Sequence, residues 1–103
     1  MTYWVSDTIA EAALRVRVTP DELVGTGRST GAVHGRHMVA LALREKRQMT
    51  HAEIARRLGG RHPSTILDGI RRARGLRMTS EAFAEAYADV AATVPILEER
   101  HDR

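Results

Sequence analysis

Residues 59 to 72 read Gly-Gly-Arg-His-Pro-Ser-Thr-Ile-Leu-Asp-Gly-Ile-Arg-Arg, and the chemistry these side chains offer is hydrogen bonding rather than bond making. Arg61 carries a planar fork of donors that suits guanine O6 and N7 or a phosphate. His62 can present a ring nitrogen to a purine acceptor. Ser64 and Thr65 offer hydroxyls to bases or phosphates, and the Thr65 methyl matches that of thymine. Asp68 lies one helical turn past Ser64 and can accept from cytosine N4. Each also has a local use. His62 and Ser64 can cap a helix, Asp68 can pair with Arg71 or Arg72, and Arg61 can complement acids on a neighbouring helix.

Other chemistries find little support. The chain has no cysteine, which removes disulfides, thiolate nucleophiles and cysteine-bound zinc. His34 and His37 are three apart and His51 and His62 flank a short segment, but no carboxylate pair converges with them, so no metal site is expected. No nucleophile–base or oxyanion pattern occurs, and no catalytic residue or cofactor is assigned.

Charge points the same way as the motif. Ten Lys/Arg and three acids lie between Arg44 and Arg77, a net +7, while the remaining residues carry −4. Positive charge concentrated in a third of the chain is the footprint expected of a polyanion-binding face, with a solvated arginine-rich helix as the alternative.

The elements that must position these groups are helices. The length, 103 residues, fits one domain (1–95) with a short frayed tail (96–103), and the 43% apolar content with four aromatic residues favours thin, closely packed helices. A first helix is expected over Asp7 to Val18, with Thr8 and Glu11 as its capping box and Ile9, Ala13, Val16 and Leu14 inward. "TPDEL" at Thr19 to Leu23 starts a very short second helix, since threonine caps, proline suits the first position and Glu22 can return the bond. "GTGRSTGAVHG", Gly25 to Gly35, reads as a flexible loop carrying Arg28. A third helix follows from Arg36 to Arg47 around Met38, Leu41 and Ala42. Thr50 opens a fourth, with Glu53 completing a box and Ile54, Ala55 and Leu58 inward. Gly59 and Gly60 stop it, one of them at positive φ. His62 caps a fifth helix, Pro63 to Arg74, burying Ile66, Leu67 and Ile70. Ser80 caps a sixth, to Ala92, around Phe83, Tyr87 and Val90.

Two short helices joined by a glycine turn have the form of a helix-turn-helix, whose second helix enters the DNA major groove by its N-terminal end. That end exposes unpaired backbone N–H groups and the positive pole of the helix, and short side chains let it approach closely. Double-stranded DNA is the expected partner. Thr50, His51 and Arg71 are placed beside the same face as backbone contacts.

"GGRHPSTI" at Gly59 to Ile66 resembles the signature Gly-Gly-Arg-Asp-His-Ser/Thr-Thr-Val of the C-terminal DNA-binding domain, domain IV, of the bacterial replication initiator DnaA. The similarity extends through "EIARRLGGR", "GRHMVALALREKRQMT", "VTPDELVG" and "SEAFAEAY", about Asp7 to Val94. It implies an all-α, six-helix bundle of the Trp-repressor-like kind. It also implies a basic loop before the third helix that reaches the minor groove and backbone. Arg61, Ser64 and Thr65 match its motif, Arg36 matches the arginine opening the third helix, and Arg28 falls in the loop, which here is depleted in Lys/Arg.

His62-Pro63 replaces the family's Asp-His pair of base readers, and proline has neither a side-chain donor nor an N–H, so a sequence register other than the usual initiator box is expected. No Gly-x-x-x-x-Gly-Lys-Ser/Thr loop occurs. The resemblance therefore implies a stand-alone DNA-binding domain, acting in replication or transcription control, in a bacterial nucleoid or encoded by a phage. A second reading makes the domain an adaptor or antagonist of a replication or transcription protein, docking through the alanine-rich face of "SEAFAEAYADVAATV". No run approaches the roughly 20 apolar residues of a membrane span, and the N-terminus lacks a leader pattern, so a soluble cytoplasmic protein without membrane contact is expected.

Overall fold

The computed structural model describes residues 4–96; apart from Ile96, the expected tail lies outside them. Six helices occur among the described residues, α1 (Trp4–Val16), α2 (Pro20–Val24), α3 (Thr30–Arg47), α4 (His51–Arg57), α5 (Pro63–Thr79) and α6 (Glu81–Ala92), in an all-α arrangement.

The organising element is α3. Its residues Met38 to Leu43 are all buried, which requires partners on every side, and α1, α5 and α6 supply them while α2 and α4 close its ends. Ala40 and Ala42 keep it thin enough for those helices to approach. Leu41, Leu43, Ile54, Leu58 and Ile70 are almost wholly enclosed, each contributing about 1.5–3 kcal/mol of apolar burial. Glu45 ties the far end of this core together: it accepts from Arg77 (3.2 Å) and the Tyr87 hydroxyl (3.3 Å), and Arg74 lies at 3.6 Å.

Several helix limits differ from the expected ones. The first helix is already formed at Trp4, the first described residue, so Thr8 lies inside it and does not cap. It is completely buried, and its hydroxyl meets that of Thr93 at 2.7 Å. Ala12, Ala13 and Val5 form the inward stripe, whereas Leu14 is exposed and Ile9 and Val16 are half-buried. This helix stops at Val16, with Arg17 left-handed (φ 63) and the Val18 amide closing onto Ala13 O. Much of the expected loop is helical, since Ser29 accepts from the Ala32 amide (3.1 Å) and starts α3 at Thr30. The fifth helix runs through Gly75 to Thr79. The short second helix has the full capping box, with both bonds between Thr19 and Glu22 present. At Thr50 only the forward half forms, and the Glu53 carboxylate lies 3.7 Å from Arg57 instead.

Candidate nucleic-acid interface

The two helices of the motif, α4 and α5, are joined by a turn in which both glycines are left-handed, Gly59 at φ +88° and Gly60 at φ +79°. Gly60 donates its amide to Ala55 O at 2.9 Å, which answers one free carbonyl at the end of α4 and redirects the chain. The two glycines are not equivalent. A Cβ on Gly60 would meet open space, but a Cβ on Gly59 would stand 2.1 Å from the Val24 carbonyl oxygen. Gly59 therefore also allows the end of α2 to lie against the turn.

His62 caps α5 as expected. Its Nδ1 accepts the Ser64 amide at 3.0 Å, so in the neutral ring the proton resides on Nε2. The Ser64 hydroxyl lies 2.8 Å from the same nitrogen; with Nδ1 an acceptor, the hydroxyl donates and keeps its lone pairs for an outside donor. Pro63 occupies the first turn, where a missing N–H costs nothing. His62, Ser64 and Thr65 are exposed together, which gives the first turn of α5 an outward ring donor, a hydroxyl acceptor and a threonine hydroxyl with its methyl.

Arg61 does not project with them. Its guanidinium turns back under α2, donating from Nη1 to Val24 O (2.9 Å) and to Leu58 O, and from Nη2 to Gly25 O. Arg36 does the same from α3, bonding Leu23 O (3.0 Å) and Gly27 O (2.9 Å). Burial draws the pKa of both below the usual arginine value, and for Arg36 the neighbouring Arg61 charge adds to this; both stay cationic. With Thr65 they border a small cavity of about 150 Å³.

The other candidates lie further along α5, at the start of α4 and in the segment before α3. Asp68 is exposed and paired with Arg72 at 3.0 Å. The Thr50 hydroxyl caps α4, and His51 is half-buried in the first turn of that helix. Arg28 and Arg71 are exposed and form no ion pair or hydrogen bond among the described residues. The charge excess is thus partly structural. Arg44 donates to Met49 O at 2.8 Å, and Arg47 bonds Pro95 O at 3.2 Å and lies over the Trp4 ring. Arg74 and Arg77 serve Glu45.

One contact behind α5 has no counterpart in the sequence reading. The His37 ring packs on Gly69, where a Cβ would stand 2.7 Å from Nδ1. Burial first, then the charges of His34, Arg36 and Arg72, push His37 down to about 4 against a smaller opposing pull from Asp68, so the ring is neutral. The available signal was Gly69 itself, a glycine in mid-helix, which is costly unless something packs closely against it. Phe83, Tyr87 and Val90 face the core, so the apolar side of α6 is used within the domain. No helix of the described residues is long and apolar enough to cross a membrane, and no group of three or more potential metal ligands occurs among them.

A family model described as bacterial dnaA protein helix-turn-helix matches residues 6–73, from α1 through the turn and most of α5, ending before α6. No curated protein matches the chain.

Proposed function

Since the chain belongs to the bacterial DnaA helix-turn-helix family, a DNA-binding module, we propose that it binds double-stranded DNA sequence-selectively by inserting the first turn of α5 into the major groove. The observation that carries this reading is the joint exposure of His62, Ser64 and Thr65 on a helix N-terminus fixed by its own cap. Phosphates are attracted there by the positive helix pole, and the three side chains meet base edges. Asp68 extends the contact by one turn. Arg71 from α5, Arg28 from the loop, and Thr50 and His51 at the start of α4 hold the sugar-phosphate backbone on either side. The role is regulatory, in replication or transcription control, with a site unlike the usual initiator box because His62-Pro63 changes the base-reading pair.

The test is selection of bound duplexes from a random pool, followed by titration of the best sequence against salt. A defined consensus is expected, with a log–log salt slope near −4.5 if about five phosphates are neutralised. Thr65→Ala should cost roughly 1–3 kcal/mol on the selected duplex and little on random DNA. Equal affinity for all duplexes, before and after the substitution, would refute selectivity.

A further inference from the structure

We infer that Arg36 and Arg61 are positioning residues that lock the Arg28 loop to the reading turn of α5, making one rigid recognition unit from two segments distant in sequence. The inference rests on the DNA-binding reading for its consequence, but its structural core is independent of it.

The second helix has five residues, so its last carbonyls have no partner inside it. Those of Leu23, Val24 and Gly25 point at the α3–α4–α5 junction, and two guanidinium groups answer them, one from α3 and one from the turn. Cations also suit the negative end of a helix. Gly59 completes the arrangement, because only a residue without a Cβ lets Val24 O come so near the turn. The same Arg36 fork reaches Gly27 O, and that carbonyl belongs to the peptide that leads into Arg28. On the other side of Arg28, the Ser29 cap fixes the start of α3. Arg28 is thereby held between two restrained peptide groups while its own side chain stays exposed and unpaired among the described residues. Two like charges side by side are unfavourable unless something compensates them, and here five carbonyl bonds do so.

A lysine at either position keeps the charge but presents its donors from one point and cannot bridge separate carbonyls as a planar fork does. Arg61→Lys and Arg36→Lys therefore separate positioning from charge. In the free full chain, backbone amide relaxation at Thr26 to Arg28 should report a rigid segment, with order parameters near about 0.85, falling below about 0.6 in either lysine variant. Helix content should be retained. On the duplex selected by the wild type, Arg28→Ala should lower the salt slope by about one, and the same substitution made in the Arg61→Lys chain should leave the slope nearly unchanged. The bases preferred by Ser64 and Thr65 should stay the same.

A loop that remains rigid in both lysine variants overturns the inference. So does an Arg61→Lys chain that loses preference at one base pair while the Arg28 effect persists, since Arg61 would then be reading DNA directly. A wild type without duplex affinity would sink the DNA-binding reading alone, and the relaxation data on the free chain would still decide whether the lock exists. Should Arg61→Lys fail to fold, Arg36→Lys carries the same comparison.

Discussion

Two stretches of the chain are built alike: Gly-Thr-Gly-Arg-Ser-Thr at 25–30 and Gly-Gly-Arg-His-Pro-Ser-Thr at 59–65. Each places glycines, then an arginine, then a capping residue, then a helix. They use the arginine in opposite ways. Arg28 stands in solvent, whereas Arg61 is turned inward onto three carbonyls. The two stretches share this order of residues but not the backbone, since Gly59 and Gly60 are left-handed and Gly25 and Gly27 are not, and they also face different neighbours. The open end of α2 lies against the second, and Gly59 admits it; among the described residues no carbonyl accepts from Arg28. An arginine beside glycines therefore stays exposed or becomes a brace according to which backbone groups remain unsatisfied within its reach.

The largest break in this comparison should come from Gly59→Ala. The new methyl would overlap Val24 O at a backbone conformation that alanine avoids, so the turn or the end of α2 must move. Destabilisation of about 3 kcal/mol or more is expected in urea titrations. Gly60→Ala, with the same left-handed backbone but open space, should cost only about 1 kcal/mol. Equal losses at the two positions would mean that the close approach of α2 is unimportant and the turn needs only its dihedral angles.

A smaller effect, with a definite sign, comes from histidine. His62 faces out as a cap and His37 faces in against Gly69. His37 is neutral in the folded protein down to about 4, while in the unfolded chain it protonates near the ordinary 6.5. Between those values the unfolded state holds more protons, so stability contributed by the neutral ring is complete above pH 6.5. It is lost as pH falls toward 4 and changes no further below that. Allowing for the ring's partial exposure, the loss is on the order of 2 kcal/mol. Chemical denaturation across that window should show a shallower pH dependence in His37→Gln than in the parent, and an identical slope would mean the ring is freely solvated.

How far the sequence alone reached follows the same line. Elements announced by a cap and a breaker were legible. Thr19, Ser80 and His62 each cap the helix expected of them, and Gly59-Gly60 is the turn between α4 and α5. What depended on distant backbone was not. Thr8 resembles a cap until Thr93 is brought beside it. Ser29 was hidden among other small residues whose composition suggested a loop. Arg61 could be assigned to a charged face from the motif and Arg36 from the resemblance, but their partners are carbonyls, which every residue carries and no side-chain pattern reveals. The outward set of His62, Ser64 and Thr65 was readable because a capped helix N-terminus fixes its own first turn.

The smallest expected change in folding tests where that outward set ends. Asp68 and Arg72 form an i,i+4 pair with both side chains about two-thirds exposed, and such pairs contribute little to stability because water and salt screen them. Asp68→Asn should therefore leave the unfolding free energy within about 0.5 kcal/mol of the parent. Its consequence on DNA should be larger than its consequence for the fold. Removing a negative charge from the proposed DNA face raises affinity for every duplex. A carboxylate that accepts from cytosine N4 in the selected site would in addition make its loss lower discrimination at that base pair by about tenfold, the equivalent of roughly 1.4 kcal/mol. Uniformly tighter binding with unchanged base preference would confine base reading to the first turn of α5 and leave Asp68 as the partner that orients Arg72.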